Sequence, residues 1–298
     1  MSTRSRAVGY LLVAVAAMSW GTWPKILKLA ESYGPLDARL QSAVVLATLT
    51  VVSAPLCFVD RVRVRATRRA WAGVAWLGVA DALNVLLFFG AYRTTTVGIA
   101  VTTHYLTPLF VALAAPLVLA GKEDAESRMR TYGAAALSFA GLLLLLRPWE
   151  GSLGGRDGVG ALLGAGSAVF YASNVLVNKR LTGVFSGSEL MAYHGVVSTA
   201  VLVALVPPAS WAAVTLPSFL VLLGGALGPG ALAGLFFVWG LRRVPAAHAS
   251  TLTLLEPLVA VVLAITTMGE PWNAATAVGG TAILLGAFLV VTGGRKLG

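Results

Sequence analysis

The chain has 298 residues, of which 57% are hydrophobic and 11% charged, and its mean hydropathy is +0.83. Soluble domains carry about 25% charged residues, so this composition excludes one and places the chain in a bilayer. The net charge of +10 does not point to nucleic acid, because the basic residues sit at the ends of apolar runs instead of forming one patch.

A membrane-spanning helix needs about 20 largely apolar residues. Apolar runs between charged or Gly/Pro-rich breaks predict ten, over 7–30, 38–59, 70–92, 97–119, 130–147, 158–180, 188–207, 215–240, 246–268 and 274–293. Laid out in alternation, they put sixteen of the 22 basic residues on one face of the membrane, so the positive-inside rule predicts both termini in the cytoplasm. Residues 1–6 pass into the first apolar run without a small-residue cleavage site, which reads as a retained helix rather than a signal peptide. Cys57 is the only cysteine, so no internal disulfide is expected, and without a Cys/His cluster neither a metal nor a cofactor is.

Polar residues inside these runs are the candidates for function, since intramembrane ionisable groups are costly. In the first run Trp20 and Trp23 lie three residues apart, followed by Pro24. They form either an interfacial aromatic belt or a gate and substrate wall. In the third, Asp81 shares a face with Asn84 and Phe88 at i+3 and i+7. Asp81 either makes a structural hydrogen bond or binds a substrate ammonium or a proton. The fourth run carries His104 and Tyr105, about 100° apart around the helix, and Pro108. His104 either packs or lines a cavity as a donor or proton relay, and Tyr105 is a candidate aromatic wall.

In the sixth run Tyr171 and Asn174 repeat the spacing of Trp20 and Trp23. The ninth places Glu256 before Pro257, which frees the Thr253 carbonyl four residues earlier. Glu256 either donates to that freed backbone or couples transport to protons. His194 and His248 read as solvated or interfacial. Pro24, Pro108 and Pro257 are the expected kinks or hinges, and Gly228-Pro229-Gly230 reads as a turn opposite Asp81 in the second half.

The halves repeat. Gly9–Lys28 overlays Gly160–Lys179 at an offset of 151 (Lys179 minus Lys28), which sets Trp20 against Tyr171. The fourth and ninth runs overlay at 149, pairing Arg93 with Arg242, Thr102 with Thr251 and Pro108 with Pro257. Five helices per half is an odd number, so the second half must enter from the opposite face. The expectation is an all-α integral membrane protein of ten transmembrane helices, arranged as two inverted five-helix repeats around a central cavity. The repeats are 1–147 and 158–298, joined by a loop over 148–157. Inverted repeats mark alternating-access carriers.

Two tandem repeats, each with a Pro-centred run (Tyr105-Leu-Thr-Pro108 and Leu254-Leu-Glu-Pro257) and a closing Gly-rich helix, resemble the drug/metabolite transporter superfamily, of the EamA type. The Trp20-Gly-Thr-Trp23-Pro24 and His104-Tyr105-Leu-Thr-Pro108 runs are similar to the YddG-type aromatic amino acid exporters. The resemblance implies a basket of ten helices in the bacterial inner membrane that exports small metabolites, with the fourth helix lining the cavity.

Three functions follow. The first is a secondary carrier exporting amino acids, aromatic and other neutral ones foremost, with Trp20, Asp81, Asn84, His104, Tyr105, Tyr171 and Asn174 binding substrate. Trp23, Pro24, Pro108 and Pro257 then serve as gate or hinge, and Asp81, His104 and Glu256 are available for proton coupling. The second is a proton-coupled multidrug or quaternary-cation exporter, which needs a deep acid with aromatic walls. The third, an intramembrane lipid-modifying enzyme, lacks a converging Ser, His and Asp set. No nucleotide-binding loop is present, so gradients must supply the energy. The expected partners are a small-molecule substrate, an amino acid or amphiphilic metabolite, and the lipid bilayer, with the carrier acting as a monomer.

Overall fold

A computed structural model describes residues 3–62, 64–119, 125–150 and 155–293. Among them are ten helical segments long and apolar enough to cross a membrane. These are α1 Thr3–Glu31, α2 Ala38–Leu56, α3 Arg68–Thr94, α4 Val97–Val118, α5 Glu126–Leu146, α6 Asp157–Leu181, α7 Gly187–Leu205, α8 Leu216–Leu241, α9 Ala246–Met268 and α10 Ala274–Gly293. Each coincides with a segment expected from the apolar runs. Arg63, Lys122, Arg295 and Lys296, which contribute to the charge asymmetry, and part of the 148–157 loop lie outside the described residues.

Three spans are broken and a fourth is distorted, and the sequence explains each irregularity. In α4 the helix stops at His104 and resumes at Thr107. Pro108 has no N–H to give the His104 carbonyl, and the Thr107 hydroxyl takes its place, donating at 2.8 Å. In α9 the break falls at Thr253–Leu254, ahead of Pro257. There the backbone N–H of Glu256 reaches back to the Thr253 carbonyl at 3.0 Å. α1 breaks at Gly21–Thr22, just before Pro24. In α8 Gly228-Pro229-Gly230 makes no turn, contrary to expectation: Ala226–Leu232 is a π-helical segment inside a continuous span. A wider helical turn accommodates a proline without ending the helix.

The packing has a reciprocal pattern. α3 lies on α6 as α8 lies on α1, α4 on α6 as α9 on α1, and α3 on α7 as α8 on α2. The pairs α2 with α7, α4 with α9 and α5 with α10 complete the set. Each of these pairings is preserved when each helix is exchanged for the one five places along, whereas α9 also touches α5 and α6 without an exchanged counterpart of the same extent.

Small residues permit the close approaches, as expected where lipid supplies no hydrophobic drive between helices. A Cβ on Gly141 would come within 2.6 Å of the Gly279 carbonyl oxygen, and one on Gly279 within 2.5 Å of that of Gly141, which locks α5 to α10. At one end of the bundle a Cβ on Gly9 would meet Arg243 Cβ at 2.6 Å. At the other end Gly160, the repeat partner of Gly9, abuts Thr95, whose hydroxyl donates to Asp157. Polar bonds add to these contacts: Trp76 donates to Ser173 at 2.7 Å between α3 and α6, and Arg130 to Thr292 at 2.9 Å between α5 and α10.

Candidate functional site

The broken middles of α4 and α9 bring the polar residues together. His104 Nδ1 lies 2.7 Å from Ser167 Oγ on α6. The Ser167 hydroxyl donates to the Gly164 carbonyl at 2.8 Å, so its oxygen must accept, and the proton of neutral His104 belongs on Nδ1. The ring is held on two faces. Phe88 of α3 is 4.1 Å away centroid to centroid, and Tyr171 of α6 is stacked on it at 5.5 Å with an 8° interplanar angle. Tyr105 meets the same ring edge-on at 5.2 Å. His104 and Tyr105 are both buried, so neighbouring positions on one helix serve a single aromatic cluster.

Glu256 projects from the α9 break toward three phenols. The Tyr105 hydroxyl faces its carboxyl, and Tyr92 and Tyr171 lie within electrostatic reach. The freed Thr253 carbonyl is already occupied by the Glu256 backbone N–H, which leaves the carboxyl to the tyrosines rather than to the backbone. Tyr171 is also within electrostatic reach of Asp81.

Asp81 is bound from two sides. Asn174 Nδ2 of α6 donates to Oδ1 at 3.3 Å, and His194 Nε2 of α7 lies 3.7 Å from Oδ2. The Asn84 Oδ1, one turn along the same face of α3, is buried and accepts nothing, as is Asn174 Oδ1. Both oxygens are acceptors awaiting a donor.

The two histidines expected at solvated or interfacial positions are buried. His194 is held by Asp81 and by the Leu190 carbonyl, and its depth follows from its register: seven residues beyond Gly187 is about 10 Å along the helix. His248 bridges α1 and α5, with Tyr10 Oη at 2.7 Å on Nδ1 and Thr131 Oγ1 at 3.0 Å on Nε2. Because Thr131 donates to the Ser127 carbonyl at 3.0 Å, His248 donates from Nε2 and accepts from Tyr10, a satisfied structural network.

The tryptophans of α1 part company. Trp20 packs on Phe237 of α8 at 5.3 Å. Trp23 lies over the small-residue face of α8, near Gly225 and Gly230, and packs α1 against α8. Pro24 begins the second half of α1 and is exposed, whereas Pro108 and Pro257 are buried behind the breaks they cause.

The chain matches the EamA-like transporter family twice, over residues 7–147 and 158–292, and it belongs to that family. It is therefore a multi-pass membrane protein of a transporter family, consistent with the drug/metabolite transporter superfamily. An uncharacterized transporter of Clostridium kluyveri is 21% identical over 298 residues, covering 97% of this chain and 94% of that one. The uncharacterized transporter YwfM of Bacillus subtilis is 27% identical over 295 residues, covering 96% and 94%. A solved crystal structure superposes with a TM-score of 0.80 at 18% identity over 97% of this chain and 99% of its own, a likeness of fold.

Proposed function

We propose that the protein is a secondary carrier that exports amino acids, aromatic and other neutral ones foremost, across the bacterial inner membrane, by alternating access between two inverted five-helix repeats. The observation that carries the substrate reading is the meeting of the α4 and α9 breaks. Unsatisfied acceptors at Asn84 and Asn174 beside the Asp81 carboxylate suit an ammonium group. Phe88 and Tyr171, packed on the two sides of His104 and themselves half-buried, offer aromatic surface to an apolar side chain. A carboxylate on the substrate would be received by the hydroxyls of Tyr92 and Tyr105 when Glu256 is protonated.

Alternating access is supported by the reciprocal packing and by a pair of lysines. At the end of α6, Lys179 Nζ donates to the carbonyls of Leu241, Arg242 and Val244 at 2.7, 3.3 and 2.7 Å. It ties α6 to the end of α8 on the side where α1 begins. Its repeat partner Lys28, at the end of α1 on the opposite side, is exposed. The carbonyls matching those that hold Lys179 are Tyr92, Arg93 and Thr95 at the end of α3 (241 − 149, 242 − 149, 244 − 149). The two lysines thus form a latch at each side, one closed and one open.

Counterflow into proteoliposomes loaded with an unlabelled amino acid tests the reading. Uptake of labelled aromatic and neutral amino acids is the expected result. Uptake of a quaternary cation alone would favour the proton-coupled cation exporter, whose aromatic walls and deep acid the same site offers.

A further inference from the structure

We infer that Asp81 and His194 form an exchange site at which a substrate ammonium and a proton displace one another; this rests on the reading of the substrate as an amine-bearing metabolite. The two nitrogens of the His194 ring face different partners. Nδ1 lies 2.5 Å from the Leu190 carbonyl, an obligate acceptor, so it carries a hydrogen. In the neutral ring Nε2 would then hold a lone pair and face the Asp81 carboxylate at 3.7 Å. Two acceptors do not attract. The pair coheres when one proton lies between them, on Nε2 as an ion pair or on the carboxyl as a neutral pair.

The surroundings leave that proton no substitute within the protein. Among the described residues His194 is the basic side chain within ion-pair distance of Asp81. From α6 the carboxylate faces Asn174, an uncharged amide, and Tyr171. On α2 the neighbour of the α7 turn is Thr50, which packs on Gly195 and donates to the Leu46 carbonyl at 2.8 Å. Glu256, whose carboxyl faces the Tyr105 hydroxyl, makes no direct contact with Asp81 among the described residues. A cation arriving at Asp81 therefore has one competitor, the proton shared with His194.

Access is asymmetric. The Asp81 side chain is 20% exposed and that of His194 6%, so a ligand reaches the carboxylate first. An ammonium there has the carboxylate and the Asn84 and Asn174 amide oxygens as acceptors, three for its three N–H donors. It makes the His194 proton redundant. The exchange balances: a protein holding Asp–COO⁻ and His–H⁺ takes up R–NH₃⁺, keeps Asp–COO⁻ with neutral His194, and releases H⁺. No covalent bond other than the N–H of His194 changes.

Proton release on binding tests this, using purified protein in weakly buffered detergent with a pH-indicator dye. The probes are L-phenylalanine, phenethylamine and 3-phenylpropionate, and binding is followed by tryptophan fluorescence. The two amines should each release a proton from the wild type, with affinity rising toward tenfold per pH unit wherever release is complete; 3-phenylpropionate should release none. His194→Gln should bind the amines without release and without that slope. Amine binding without proton release in the wild type, or equal release from His194→Gln, overturns the exchange site. If no probe binds, the amino acid reading fails, and an acid titration of ligand-free protein still decides the pair. Over the whole range in which both proteins stay folded, His194→Gln should take up one proton fewer than wild type. Equal uptake overturns the inference.

Discussion

Lys179 Nζ donates to the Val244 carbonyl at 2.7 Å, and the same ammonium reaches Leu241 and Arg242. One cation therefore caps the carbonyls that the end of α8 leaves without intrahelical partners. It does so from another helix of the same repeat, α6, and thereby ties α6 to the α8–α9 connection. A lysine at the matching place in the first repeat, Lys28, stands exposed. Under the alternating access proposed above, the same chemistry engaged at one end and exposed at the other is the pattern that a two-state gate requires.

The Gly141–Gly279 contact should be intolerant of any side chain. Gly279→Leu inserts atoms where a Cβ already meets a carbonyl oxygen at 2.5 Å, and overpacking of this kind costs about 1–3 kcal/mol. Thermal unfolding in detergent should show a lower midpoint than wild type. An unchanged midpoint would mean that α5 and α10 do not pack through these glycines.

Thr107→Val keeps the shape of the side chain and removes the hydroxyl that serves the His104 carbonyl and, at 3.3 Å, that of Ala168. Thr107 is fully buried, so the loss should approach the desolvation cost of an unsatisfied group, about 1–3 kcal/mol. The same melting assay reads it. Wild-type stability in the variant would show that the α4 break does not depend on this substitute bond.

His104→Ala removes the ring held between Phe88 and Tyr171. The ring positions the aromatic wall from behind, and its contacts with Phe88 and Tyr171 contribute about 0.5–1.5 kcal/mol, so the wall loosens and affinity should fall by up to about tenfold. Counterflow should show that loss for phenylalanine and a smaller one for leucine. Equal losses for both would make His104 a packing residue of the α4–α6 interface through Ser167.

Much of this was legible in the chain, and the exceptions share a cause. The ten spans follow from apolar runs, and the breaks in α4 and α9 from the missing N–H of Pro108 and Pro257. Asp81, His104 and Tyr171 stand out because each is a polar group in hydrocarbon. His194 stood in the same setting, and its depth seven residues into α7 was countable. Its meaning was not: Asp81 is 113 positions earlier (194 − 81), and only the packing of α3 on α7 joins them. The π-helical segment around Pro229 was equally hidden, since flanking glycines signal a turn in water while the spanning environment of α8 keeps the backbone helical. What Trp23 packs on is also out of reach of the sequence, since only the folded chain brings Gly225 and Gly230 of α8 under its ring.

The central claim is that the two ends open in turn, and paired distance measurements test it most directly. Spin labels on Arg180→Cys and Arg242→Cys report the latched end, and labels on Leu29→Cys and Arg93→Cys the opposite end, each pair in a Cys57→Ser background. Lys179→Met should lengthen the first distance and shorten the second, and Lys28→Met should bias the ensemble the other way. Distances that do not respond, or that lengthen together at both ends, would contradict alternating access.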